Sequence, residues 1–158
     1  MKIIFLCFVL FFECLYAQNL SSERILKLIG RKRSIYLTEG IFHHISKDIS
    51  KYSLLKGVRT SYVSSRGYER IVFDFSSSKP PKIYGHISEK RKKIYIDFMN
   101  SGLDPHVNVK AKIKYADNID FFNLDKNNIS VEISYSGKLN FEVFYLENPG
   151  RLVLDIKQ

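Results

Sequence analysis

From Val58 onward the apolar residues of this chain fall on alternate positions. Ile71, Phe73 and Phe75 alternate with Val72 and Asp74, and Ile94, Ile96 and Phe98 with Tyr95 and Asp97. Ile129, Val131, Ile133 and Tyr135 alternate with Ser130, Glu132 and Ser134. Phe141, Val143 and Tyr145 alternate with Glu142 and Phe144, and Leu152, Leu154 and Ile156 with Val153 and Asp155. Side chains of a strand point to opposite faces in turn, so this period of two predicts half-buried antiparallel strands. Turn-forming residues separate them: Ser76-Ser77-Ser78 before Pro80-Pro81, Asp125 to Asn128, Ser136-Gly137, and Asn148-Pro149-Gly150.

The preceding stretch, residues 18–57, has a different pattern. Ser21 and Ser22 are placed to cap a short helix carrying Ile25, Leu26 and Ile29, with Gly30 as its stop. After the basic run Arg31-Lys32-Arg33, the residues Ile41, Ile45, Ile49 and Tyr52 recur at helical spacing, with Lys47, Asp48 and Lys51 elsewhere on the wheel and Gly57 as a stop. The expected organisation is a short helical or mixed N-terminal extension over 18–57 and a β domain over 58–158.

The β region repeats. Shifting Arg70–Asn100 by 58 positions lays it on Asn128–Gln158 without a gap, so that Ile71, Phe73 and Phe75 meet Ile129, Val131 and Ile133. Ile83 meets Phe141, Glu89 meets Glu147, and Ile94 to Phe98 meet Leu152 to Ile156. Only five aligned pairs are identical, and the shared apolar register carries the argument, because a one-residue slip would turn every core side chain outward. Two copies of a three- or four-strand unit predict an all-β fold: a duplicated antiparallel β-sandwich of two similar sheets packed face to face.

The first residues bear on the compartment. Lys2 is followed by an apolar run from Ile3 through Phe12, and Leu15-Tyr16-Ala17 closes it with a small residue. That layout predicts a secretory signal peptide over 1–17, cleaved after Ala17. Glu13 interrupts the run, which falls short of the roughly 18–20 apolar residues that span a bilayer. Membrane contact is expected only if this segment is retained or if Cys14 is lipidated. Both cysteines, Cys7 and Cys14, lie in it, so the mature chain is expected to lack disulfides, thiolate metal sites and cysteine nucleophiles. The formal net charge of +9 suits an exported protein to anionic surfaces such as cell-wall carboxylates, and nucleic acid is not an expected partner. A Lys-, Ile- and Asn-rich composition also accounts for part of that charge.

Arg70-Ile71-Val72-Phe73-Asp74-Phe75, together with Glu147-Asn148-Pro149-Gly150-Arg151-Leu152-Val153-Leu154-Asp155-Ile156, resembles the AMIN domain, a module that accompanies N-acetylmuramoyl-L-alanine amidases and secretin subunits. The resemblance covers about Val58 to Gln158 and extends to the duplicated sandwich. Two positions depart from the pattern: Gly150 stands where an acidic residue is usual, and Glu89-Lys90-Arg91-Lys92-Lys93 stands where an Asn-Pro turn is expected. The resemblance implies a periplasmic, peptidoglycan-binding module without catalysis, since the family's zinc hydrolase is a separate downstream domain and the motif here lies at the end of the sequence.

Other chemistry is weakly represented. His43 and His44 are adjacent, so they point about 100° apart on a helix or to opposite faces of a strand and chelate poorly together. His86 and His106 lack carboxylates at ligand spacing, no Gly-x-Ser-x-Gly elbow accompanies the serines, and no Gly-rich phosphate loop is present. No enzyme activity, metal or cofactor is expected. The candidate binding residues lie on outward strand faces. With Ile83 and Ile87 inward, Lys82, Tyr84 and His86 face out, and Tyr95 and Asp97 share that orientation, with Asp74 on a third strand. Aromatic rings beside carboxylates and amines suit sugar faces and the charges of peptide stems, although tyrosines and lysines also decorate solvated strands. Arg70, Arg151 and Asp155 complete the set, Arg151 with a structural alternative of pairing with Glu147 or Asp155 to pin the turn. The expected function is peptidoglycan binding or scaffolding of wall-associated machinery. The alternative is an adaptor for an envelope protein complex such as a secretion, pilus or division assembly.

Overall fold

The structure is a computed structural model that describes residues 33–45, 52–110 and 114–158. The expected signal segment and the helix expected over Ile25–Ile29 lie outside the described residues. Ser34–Gln158 forms one compact unit.

Eleven strands are described: β1 Arg33–Leu37, β2 Gly40–His44, β3 Ser53–Val63, β4 Tyr68–Phe75, β5 Lys82–Ser88, β6 Lys93–Met99, β7 Ser101–Lys110, β8 Ala116–Asn123, β9 Ile129–Tyr135, β10 Asn140–Leu146 and β11 Arg151–Lys157. They form a six-stranded sheet in the order β1-β10-β11-β4-β3-β7 and a five-stranded sheet in the order β2-β5-β6-β9-β8. Every register described pairs antiparallel neighbours except that of β3 with β7, which is parallel.

The alternation predicted from Val58 onward is observed in β4, β5 and β6, whereas β10 and β11 are buried on both faces. β5 and β6 bury every second residue, and Ile71, Phe73, Leu152 and Leu154 meet Ile83, Ile94, Ile96, Phe98 and Val131 in one core. Phe73 and Phe75 approach Phe98 across the two sheets, with ring centroids 5.6 and 5.0 Å apart. Each such buried aromatic stabilises the sandwich by about 1.5–3 kcal/mol relative to an exposed one. Glu69 is also fully buried, and its carboxylate accepts backbone N–H groups from Lys114, Tyr115 and Ala116 at 3.1, 2.6 and 3.0 Å, which ties down the start of β8.

The repeat is present in three dimensions. Lys82 lies opposite Met99 in the β5–β6 hairpin, and their counterparts 58 positions on, Asn140 and Lys157, lie opposite each other in the β10–β11 hairpin. The first strand of each repeat is exchanged: β4 joins β11, and β9 joins β6. Each sheet therefore holds the hairpin of one copy and the leading strand of the other. The two seams differ by two residues, Val131 facing Ile96 while Phe73 faces Leu152. An even step keeps the core faces aligned.

The expected helix through Ile41 and Tyr52 is not found where it falls on described residues. Gly40–His44 is strand β2, hydrogen-bonded to β5, and β3 starts at Ser53, within the expected extension. The physical reason is Phe42, a residue that the helical spacing passes over. Its ring is buried opposite Gly85, and any Cβ at Gly85 would collide with it. A glycine beneath an aromatic ring lets the edge strand sit close to its neighbour.

Candidate functional site

The two outward faces of the sandwich are equivalent by repeat and different in chemistry. On the five-stranded sheet, the outward residues of β5 and β6 include Lys82 and Lys93 at the strand ends and, between them, Tyr84, His86, Tyr95 and Asp97. The counterparts of these last four on the six-stranded sheet are Glu142, Phe144, Val153 and Asp155. Phe144, Val153 and Asp155 are only 2%, 4% and 3% exposed although they point away from the sandwich core, so β10 and β11 are buried on both faces. Tyr84, by contrast, is 42% exposed, and His86 is exposed beside it.

The six-stranded face is a closed electrostatic structure. Arg70 grips Asp155 through two hydrogen bonds of 2.6 Å while its guanidinium lies over the rings of Tyr68 and Phe144, at 5.1 and 5.9 Å from their centroids. Asp155 holds the Arg70 guanidinium above the usual arginine range. Arg59 grips Asp74 in the same two-pronged way, at 2.6 and 2.8 Å. At the rim, Lys157 pairs with Glu142 at 3.5 Å beside a depression of about 360 Å³ that Tyr36 and Thr38 also line.

Two expectations are corrected here. Asp74 does not share a face with Tyr84 and Tyr95, because β4 belongs to the other sheet. Arg151 pairs with neither Glu147 nor Asp155: its Nε donates to the Pro149 carbonyl at 3.3 Å. Asp155 is already bound to Arg70, and it lies four residues along the strand, roughly 13 Å from Arg151 at about 3.3 Å per residue. Of the candidate residues, the structure therefore brings together Tyr84, His86, Tyr95 and Asp97, and separately Arg70 with Asp155, with Asp74 and Arg151 facing each other in register.

On the five-stranded face, cross-strand pairing sets two rows of side chains. One runs His43, Tyr84, Asp97, Ser130 and Phe122; the other runs Ile41, His86, Tyr95, Glu132 and Asp120. The His86 and Tyr95 rings are nearly parallel, 17° apart with centroids at 6.2 Å. Phe122 is 50% exposed at the β8 end. Lys93 pairs with Glu132, which holds the ammonium above the usual lysine range, and the Asn118 amide donates to both oxygens of Asp120 at 2.8 Å. Asp97 has no hydrogen-bond partner among the described residues; the repeat counterpart of Arg70 is Asn128, so the arginine that neutralises Asp155 has no equivalent here.

The sequence reading missed Ile41, His43, Asp120, Phe122 and the Lys93–Glu132 pair as members of this face. The parity of β8 and β9 carried the signal for three of them: Phe122 and Asp120 are out of phase with buried Ile119, as Glu132 is with Val131 and Ile133. His43 and His44 point to opposite faces, His43 exposed and His44 stacked on Tyr145 at 4.6 Å. Among the described residues no group of three or more His, Cys, Asp or Glu side chains is placed to hold a metal ion, and no helix is long and apolar enough to cross a membrane. No protein-family model, curated protein or solved structure matches the chain.

Proposed function

We propose that this chain is an exported, non-catalytic module of the cell envelope that binds peptidoglycan through the outward face of its five-stranded sheet. One observation carries this reading: of two faces built from equivalent positions, one is buried and internally neutralised, and the other presents exposed Tyr84 and His86 beside half-buried Tyr95 and Asp97. Flat arrays of aromatic rings with carboxylates beside them suit the apolar faces and hydroxyl edges of sugars. The AMIN-like Glu147–Asp155 segment and the leader-like first seventeen residues support the same compartment and partner. The test is co-sedimentation of the mature protein with purified sacculi at low salt. Protein left wholly in the supernatant would sink the proposal.

A second reading, an adaptor for an envelope protein complex, has an observation in its favour. Strand β8 is the edge of its sheet and carries exposed Phe122 and Leu124 at its end, without the lysine or proline that commonly protects an edge. Co-purification of one stoichiometric partner without sacculus binding would select it.

A further inference from the structure

Peptidoglycan offers two chemically distinct ligands: a glycan backbone of neutral N-acetylated sugars, and peptide stems that carry free carboxylates. We infer that the five-stranded face binds the glycan backbone and not the stems, an inference that rests on the proposed wall-binding function.

Charge is the first argument. The face carries three carboxylates within its two rows, Asp97, Asp120 and Glu132, against two outward lysines at the strand ends, Lys82 on β5 and Lys93 on β6, and Lys93 pairs with Glu132. Asp97 forms no ion pair among the described residues, and three carboxylates against two lysines leave the face slightly acidic. The chain as a whole is strongly basic, with a formal net charge of +9, so the face is a local exception to the molecule's own charge. A face built for stem carboxylates would display that basic surplus; this one does not. Carboxylates do serve as acceptors for sugar hydroxyls, and charge-assisted hydrogen bonds of that kind are strong.

Geometry is the second. The nearly parallel His86 and Tyr95 rings form a platform, with Tyr84 standing exposed one row away and diagonal to Tyr95. Asp97 lies opposite Tyr84 and next to Tyr95 along β6, so an acceptor borders the platform. The rows run across five strands, roughly 19 Å at about 4.8 Å per strand, which accommodates a short run of sugar rings. Neutral, ring-by-ring contact of this type has a distinctive signature: it responds weakly to ionic strength, whereas attraction of a +9 protein to an anionic polymer is screened by salt.

The experiment compares binding of the full chain to intact sacculi with binding to glycan strands from which the stems have been removed by an amidase and on which the lactyl carboxylates so freed have been capped as neutral methyl amides. The expected result is affinity for the stripped strands within about threefold of that for intact wall, and a change of less than about twofold as salt is raised from about 0.05 to about 0.5 M. The Tyr84→Ala/Tyr95→Ala variant should lose about tenfold on the stripped strands. Binding to intact sacculi with loss of more than about tenfold on stripped strands would overturn the inference and leave wall binding standing. Equal binding of the tyrosine variant to stripped strands would remove the face from the account. Failure to bind either material would overturn the proposed function itself.

Discussion

Arg70 and Asp155 lie 85 positions apart in the chain and are joined by two 2.6 Å hydrogen bonds, from Nε and Nη2 to the two carboxylate oxygens. They face each other across the seam between β4 and β11, where one repeat meets the other. Asp155→Ala leaves the Arg70 charge without its partner at a site that excludes most water, and should destabilise the fold by about 2–4 kcal/mol, discounted because the guanidinium retains some contact with solvent. Arg70→Lys keeps the charge and loses the fork, and should cost about 1 kcal/mol. Urea unfolding of the three proteins measures both; a loss below about 0.5 kcal/mol for Asp155→Ala would show that the pair does not secure the seam.

Replacing Tyr84 and Tyr95 together with alanine removes exposed ring surface and leaves the inward residues Ile83, Ile87, Ile94 and Ile96 in place. Affinity for sacculi should fall by about tenfold, from about 0.5–1.5 kcal/mol per aromatic contact, while the melting temperature changes little. Phe73→Ala should do the reverse, costing about 3–5 kcal/mol of stability because the ring is wholly buried. Full binding by the double variant at an unchanged melting temperature would reduce the face to a solvated surface.

Tyr145 supplies a pH dependence. Its hydroxyl is buried and finds no partner among the described residues, and burial pushes its ionisation well above the ordinary tyrosine range. The folded protein thus keeps a proton that the unfolded chain releases near about pH 10, so this contribution to stability is intact below that pH and is lost as pH rises above it. Tyr145→Phe removes the unsatisfied group, should stabilise the protein by about 1–3 kcal/mol at neutral pH, and should flatten the fall between about pH 9 and 11. Thermal unfolding across that range distinguishes the two proteins, and a destabilised phenylalanine variant would contradict the prediction.

Gly150 sits where its N–H donates to the Ser77 carbonyl at 2.8 Å and its own carbonyl accepts the Phe75 N–H at 2.9 Å, just after the cis bond of Asn148–Pro149. A Cβ there would run into the backbone of Lys79 and Pro80. That contact leaves no room for a side chain at this position. Gly150→Ala should lose at least about 1–3 kcal/mol by overpacking, read out by urea unfolding; a neutral substitution would mean the two turns have room to separate.

Much of this architecture was legible as parity. Alternation assigned Ile83 and Ile94 inward and Tyr84 and Tyr95 outward correctly, because a strand has only two faces and one of them is core. Parity does not name the neighbouring strand. Asp74 has the right phase for an outward carboxylate, yet β4 crosses into the opposite sheet, which no pattern local to residues 70–75 encodes. Nor does parity separate an outward face that stays open from one that is covered: Phe144 and Val153 are outward in phase and buried in fact. In β2, a four-residue spacing of isoleucines resembles a helix, and the decisive residue, Phe42, is recognised only through Gly85 on a strand some forty positions away.

The exchange of leading strands has a consequence for the timing of synthesis. When a ribosome has produced β3 and β4, one edge of β4 already has its neighbour and the other waits for β11. Those 85 positions between Arg70 and Asp155 take about 4–17 s at about 5–20 residues per second. Throughout that interval β4 has a bare hydrogen-bonding edge, the surface on which chains cross-pair. A nascent chain of this design depends on a holding factor, or on being kept unfolded until its last strand is free, more than a sandwich whose repeats close one after the other.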